Sequence, residues 1–324
     1  MKRSFFKRFH EEQHTGFSTR SGNQGSRLMN KDGSFNVVRK GMPLLRRLDR
    51  FHDMITMPWS TFNTIVIIFY LLINLFFTSL YLMFGVESLG GTIATSPIDK
   101  FFEAFFFSCQ TYTTVGYGRV NPIGLPANII ASIESLTGLM SFALATGLIY
   151  GRFSRPNAKI LYSENMVIAP FQNGTALMFR IANARKNQLI ECEASLLMSF
   201  IEPETQIRKF LPLTLEYNKV TGLAMSWTIV HPINENSPLS GLGPADLNEV
   251  DSEFIFMFKA FDDTYAQTIH ARYSYSHKEL IWGAKFNPAF HSDKNSNATI
   301  LELDKLGSYE KVELPLVLQK ASSE

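Results

Sequence analysis

Thr113-Thr114-Val115-Gly116-Tyr117-Gly118 is the stretch from which the rest of the chain is read. A row of backbone carbonyls can replace the water shell of a potassium ion only if successive carbonyls point the same way. That requires backbone conformations closed to most L-residues, and Gly116 and Gly118 supply them at no steric cost. Thr114 adds a hydroxyl at the inner end of the row, while Val115 and Tyr117 have the bulk to brace the strand from behind. A lone Gly-Tyr-Gly reads as a glycine-rich turn. Here the run follows an aromatic, helix-like stretch and lies between two long apolar segments, which makes it specific.

The flanking segments are residues 61–84 and 126–151, each with about the ~20 apolar residues a spanning helix needs. Arg39, Lys40, Arg46, Arg47 and Arg50 precede the first, whereas 85–97 carries Glu87 and no Lys or Arg. Arg152 and Arg155 close the second. The excess of positive charge at these ends predicts that both termini are cytoplasmic and that the chain crosses the cell membrane twice. Ser96-Pro97 reads as an N-cap with proline at the first helical position, opening a helix over Phe101, Phe102, Phe105, Phe106 and Phe107. This helix is too short to cross. Its negative C-terminal dipole would point at the membrane centre, where a cation is stabilised. In the second span Gly138 and Gly147 offer hinges. Phe142, Thr146 and Tyr150 form one stripe, and Glu134 lies about 160° round from Tyr150 at 100° per residue. An intramembrane carboxylate needs a partner, so Glu134 is expected to face the short helix and brace the strand that follows it.

Four regions result: a cytoplasmic tail over 1–41, an interfacial helix over 42–58, a membrane domain over 59–155 and a cytoplasmic β-sandwich over 156–324. The tail, polar and basic, reads as mobile to about Asn30. Its His10-Glu11-Glu12-Gln13-His14 matches a zinc-protease pattern but has neither third ligand nor cleft, and is read as coincidence. In the interfacial segment Leu44, Leu45, Leu48, Phe51 and Ile55 recur at helical spacing opposite basic residues, with Trp59 as a headgroup-level anchor. Beyond 157 the period changes to two: Leu177, Phe179 and Ile181 alternate with other residues, as do Cys192, Ala194, Leu196, Met198 and Phe200. Residues 254–258 form a continuous apolar run fit for a strand buried on both faces, and 265–275 and 299–303 add further strands. The pattern is that of an immunoglobulin-like sandwich. A net charge of +2 gives no reason to expect nucleic acid. Cys109 and Cys192 do not suggest a disulfide framework. The scattered histidines, His231, His270 and His277 among them, are expected to be ordinary hydrogen-bonded residues. No nucleophile, metal cluster or phosphate loop stands out, so neither an enzyme nor a resident cofactor is expected, only permeant potassium at Thr114, Val115, Gly116 and Tyr117.

Two spans around a Thr-Val-Gly-Tyr-Gly loop, followed by a β-sandwich, resemble the inward-rectifier potassium channel family, and its prokaryotic members above all. The resemblance covers about residues 27 to 316. It extends to Lys31-Asp32-Gly33-Ser34-Phe35-Asn36-Val37, to His231-Pro232-Ile233-Asn234-Glu235-Asn236-Ser237-Pro238-Leu239, and to Ala271-Arg272-Tyr273-Ser274-Tyr275 with Glu279-Leu280-Ile281-Trp282-Gly283. It implies a homotetramer with Thr114, Val115, Gly116, Tyr117 and Gly118 as the selectivity filter of each subunit. It also implies a gate of converging second spans, constricted at Tyr150. Phe142 stands where strongly rectifying members carry an acid, so block from that site should be weak. Glu191 matches an acidic position of the cytoplasmic vestibule, and a second such position is Lys259 here. The family's pore-helix glutamate is replaced by Gln110, so a carboxylate–arginine strut with Arg119 cannot form in that way. Membrane lipids, anionic ones included, are the expected partners of Arg46, Arg47, Arg50, Trp59, Arg152 and Arg155. A potassium transporter subunit and a ligand sensor with a vestigial pore are the other classes. The single loop with a full motif counts against both.

Overall fold

The computed structural model describes residues 27–37, 40–41, 50–154, 158–292 and 298–315, and for Arg50 the backbone alone. The His10–His14 motif, Arg46, Arg47, Arg155, the Arg50 side chain and residues 42–49 of the interfacial segment lie outside the described residues. The chain forms two compact units, one of Lys40–Arg155 and one of Met1–Arg39 with Pro156–Glu324.

The first unit is helical. Helix α1 is Arg50–Thr56, α2 Trp59–Met83, α3 Pro97–Tyr112 and α4 Gly124–Phe153. At 1.5 Å per residue, the 25 residues of α2 and 30 of α4 exceed the ~30 Å of a hydrocarbon core, while the 16 of α3 fall short of it. Both long helices begin two residues earlier than the apolar pattern indicated, because uncharged Trp59, Ser60, Gly124 and Leu125 continue them. Large apolar side chains such as Ile67, Leu72 and Leu139 are exposed on α2 and α4, the surface expected of lipid-facing helices. Helix α3 starts as its sequence requires: Ser96 Oγ accepts from the Asp99 N–H at 3.2 Å, and Pro97 fills the first turn. A short ribbon, β1 (Leu89–Gly90) with β2 (Asn121–Pro122), ties together the two chain segments that flank α3.

The second unit is a sandwich of two five-stranded sheets. One sheet runs β11 (Gln267–Ser276), β10 (Glu253–Asp262), β6 (Leu189–Ile201), β7 (Arg208–Leu213), with β8 (Lys219–Gly222) also on β6. The other runs β12 (Leu280–Trp282), β4 (Met166–Phe171), β5 (Gly174–Asn183), β3 (Ile160–Tyr162), with β9 (Ser226–Ile233) on β5. Small ribbons of β13 (Ala284–Phe286) with β16 (Tyr309–Lys311) and β14 (Phe290–Ser292) with β15 (Thr299–Leu301) complete it, and a short helix α5 (Pro244–Glu249) precedes β10. The alternating residues of β5 and β6 meet in one core with Phe254, Phe256 and Phe258. His231 is buried as a structural residue, its Nδ1 facing the Thr214 carbonyl and its Nε2 the Ser237 hydroxyl, each at 2.7 Å. Burial lowers its pKa.

Strand β10 is buried on both faces, and the reason corrects the reading of the tail. Ile255 packs on the outer side of its sheet with Leu197, Phe210 and the N-terminal residues Leu28 and Met29, of which Met29 is fully buried. The Glu253 carboxylate accepts from the N–H groups of Leu28 at 2.8 Å and Met29 at 3.2 Å. Arg27 and Lys31 pair with Glu279. From Arg27 onward the segment is therefore part of the sandwich unit rather than of a mobile tail. Its apolar pair lies in a polar stretch too short to show a period.

Candidate functional site

The segment after α3 has the backbone that its glycines require. Thr114, Gly116 and Gly118 are left-handed, with φ of +59°, +55° and +85°, and Val115 and Tyr117 between them are not. Such alternation turns successive carbonyls toward one side. Thr114 is the surprise: a β-branched residue held at positive φ is strained, and such strain persists where the fold over-determines it. The constraint is visible in the hydrogen bonds that point back into α3. Thr114 N–H donates to the Thr111 carbonyl at 3.1 Å; Val115 and Gly116 N–H both donate to the Gln110 carbonyl, at 2.9 and 3.3 Å. Within the described residues, no carbonyl of 114–118 accepts a hydrogen bond. Five consecutive unpartnered acceptors at the C-terminal end of a helix form a strip of negative potential suited to a desolvated cation. A methyl group built on Gly116 or Gly118 would meet nothing within 4 Å. Val115 and Tyr117 are exposed in the single chain.

The support behind α3 comes from a buried polar cluster. Glu134 of α4 is fully buried and accepts from Tyr81 of α2 at 2.7 Å and from the Ser108 hydroxyl of α3. Ser108 also lies 3.1 Å from Asn74 Oδ1, and Thr78 donates to the Asn74 carbonyl at 2.7 Å. Each of these groups has a partner, which is what allows polar atoms to sit inside an apolar helix pack. One turn further along α4, Gly138 takes the end of α3 against its backbone: a Cβ there would stand 1.9 Å from the Tyr112 carbonyl oxygen. Gly138 thus has a packing role in this structure, and α4 is one uninterrupted helix through both Gly138 and Gly147. A Cβ on Gly147 would meet nothing within 4 Å.

Gln110 indeed makes no strut with Arg119. Arg119 instead pairs at 3.0 Å with Glu103, two turns earlier on α3, whose carboxylate also accepts from the N–H groups of Ile93 and Ala94. Sequence reasoning passed over Glu103, although its spacing of seven from Gln110 puts both on one helix face. Phe142, Thr146 and Tyr150 are all exposed on α4, away from the buried stripe of Ala127, Ile130, Glu134 and Gly138.

Arg152, expected to meet lipid, is engaged inside its own unit. Its guanidinium donates to the carbonyls of Met54 and of Met57, the latter at 2.7 Å, and lies over the rings of Trp59 and Phe62 at 4.4 and 4.7 Å. A cation is favoured at the carbonyl-rich end of α1. Trp59 itself is 45% exposed. In the sandwich unit Glu191 is exposed at φ +51°, at the irregularity where the pairing of β6 with β10 shifts register between Lys259 and Phe261.

Two spanning helices, a half-length helix and a carbonyl strip of alternating handedness define a pore-forming subunit of a cation channel; residues 65–155 match a family model described as "Ion channel". Residues 160–324 match the model "Inward rectifier potassium channel C-terminal domain". This chain belongs to the inward-rectifier potassium channel family and is a membrane protein of that type. It is 39% identical to the inward rectifier potassium channel Kirbac3.1 of Paramagnetospirillum magnetotacticum, over 82% of this chain and 89% of that one. It is 30% identical to the ATP-sensitive inward rectifier potassium channel 12 of Gallus gallus and 28% identical to the human inward rectifier potassium channel 18, in both cases over 83% of this chain and 68% of the relative.

Proposed function

We propose that four copies of this chain gather their Thr114–Gly118 strips about one axis and conduct potassium passively between the carbonyls. What carries this reading is the run of five unpartnered carbonyls on a backbone of alternating handedness, with Val115 and Tyr117 left exposed for neighbouring copies to cover. Potassium is the substrate, and Thr114, Val115, Gly116 and Tyr117 exchange their carbonyl oxygens for its water. Both termini lie in the cytoplasm, a reading supported by the positive charges before α2 and after α4. Tyr150 forms the constriction, because four large side chains on one exposed helix face can block or dewet a pore, and the sandwich unit biases it, with Gly147 as the hinge. Phe142, being apolar, holds cationic blockers weakly, and Glu191 lines the cytoplasmic vestibule. Trp59 and the basic residues around α1 meet lipid, anionic headgroups included. The test is rubidium uptake into liposomes with cross-linking of the purified protein. Uptake that is competed by potassium and not by sodium, abolished in Gly116→Asp, together with a four-subunit ladder, is the expected result. Equal uptake of sodium, or a Gly116→Asp protein that still conducts, rules it out.

A further inference from the structure

Among the described residues, four buried side-chain polar atoms have no hydrogen-bond partner: Arg152 Nε, Arg208 Nε, Ser252 Oγ and His277 Nε2. Three of these four residues, Arg208, Ser252 and His277, line one cavity of about 150 Å³ in the sandwich unit. An unmet buried polar atom costs on the order of 1–3 kcal/mol, so three around one small space are not incidental.

The neighbouring acceptors are already occupied. Arg208 is 2% exposed; it spends one terminal nitrogen on Ser199 Oγ at 3.0 Å and the other on Asp251 at 3.1 Å, which leaves Nε. Glu253 is taken by the Leu28 and Met29 N–H groups. His277 donates its Nδ1–H to the Ser252 carbonyl at 3.3 Å, which leaves Nε2, an acceptor in the neutral ring and a donor in the imidazolium; Ser252 is 1% exposed. Arg27 and Lys278 add positive charge to the lining. What remains is a guanidinium N–H, a hydroxyl and an imidazole nitrogen that donates as the imidazolium, in a lining whose three cations, Arg27, Arg208 and Lys278, outnumber the carboxylates Asp251 and Glu253, a set that suits a tetrahedral oxyanion. The volume equals about five waters at ~30 Å³ each, room for one such group and little else.

We infer that this cavity binds a phosphoryl or sulfuryl oxyanion, either free or at the tip of a larger molecule. Arg27 is the first described residue of the N-terminal segment that covers β10, so an anion here fastens that segment to the sandwich.

The test uses the purified full chain in detergent, titrated calorimetrically with sodium phosphate and sodium sulfate against chloride at matched ionic strength. Saturable binding of about one oxyanion per chain is expected, with trypsin cutting after Arg27 slowed several-fold by phosphate. Ser252→Ala and His277→Ala should each weaken binding about tenfold at unchanged melting temperature. If either variant fails to fold, Lys278→Gln, an exposed change, should still weaken it. Glycerol phosphate binding as well as phosphate identifies a phosphoryl tip; binding of phosphate alone identifies the free ion. No saturable heat with either oxyanion, or equal affinity in the folded variants, means that the cavity holds water only and overturns the inference.

Discussion

Gly138→Ala tests whether the pore support is a matter of close packing. The added methyl would lie 1.9 Å from the Tyr112 carbonyl oxygen and 2.8 Å from its carbon, both backbone atoms that cannot swing aside. Reaching even 3.0 Å requires the end of α3 and α4 to part by about 1 Å, in a core as dense as a crystal. Overpacking of this kind costs roughly 1–3 kcal/mol. Tyr112 is the last residue of α3, and the strip of unpartnered carbonyls begins two residues later, so the displacement lands on that strip. The expected outcome is a lower melting temperature of the purified protein and a lower ratio of rubidium to sodium uptake in liposomes. Gly147→Ala is the control: nothing stands within 4 Å of its added methyl, and alanine favours a helix by about 1 kcal/mol over glycine. If Gly138→Ala keeps wild-type selectivity and melting, or Gly147→Ala lowers them equally, the packing argument is wrong.

Glu134→Leu strands the hydroxyls of Tyr81 and Ser108 in an apolar pack and should destabilise the protein by roughly 2–4 kcal/mol, whereas Glu134→Gln keeps acceptor oxygen and shape and should cost less; thermal melts of both variants decide. Tyr150→Ala should raise rubidium flux, and unchanged flux removes Tyr150 from the gate. Docking of residues 27–37 should depend on pH through Glu279. Burial pushes its carboxyl up, but hydrogen bonds from Lys31 and the Ser276 N–H and the charge of Arg27 outweigh this, and its pKa ends below the usual value. A lowered folded value contributes stability above the unfolded pKa and loses it as pH falls through the folded one. Hydrogen exchange at the Leu28 and Met29 amides should therefore be protected near neutral pH and lose protection in acid below the usual carboxylate range; equal protection at both would exclude Glu279.

The spans, the short helix and the sandwich were legible because each rests on a local signal. Apolar length marks α2 and α4, the Ser96-Pro97 cap marks α3, and period-two alternation marks β5 and β6. Even Glu134 could be aimed at α3, since one carboxylate among apolar neighbours has to find a partner and the helical angle leaves few directions. Legibility failed where the partner is distant in sequence. That Leu28 and Met29 cover the far side of β10 depends on Glu253 and Glu279, more than 220 residues away, and no window of the chain contains both. The carbonyl contacts of Arg152 were illegible for another reason: an arginine at the end of a span carries the same signal with or without them, and they depend on the return of α1 against α4.

The loss of a carboxylate at Gln110 shows how the two kinds of support divide. A strut there would tie Arg119 directly to the helix end from which the carbonyl strip departs. Moving the acid to Glu103 shifts that tie two turns, about 10 Å along α3, to where the carboxylate also gathers the Ile93 and Ala94 amides. Arg119 then secures the approach to α3 rather than its end. The end is held instead by short-range contacts: the two amides on the Gln110 carbonyl, the Tyr112 backbone on Gly138, and the hydroxyl link from Ser108 to Glu134. Contacts of this kind act at close range and are rigid only while closely packed. The strip beside them therefore depends for its geometry on shape more than on charge, and for that reason a single methyl at Gly138 is expected to disturb it more than salt would.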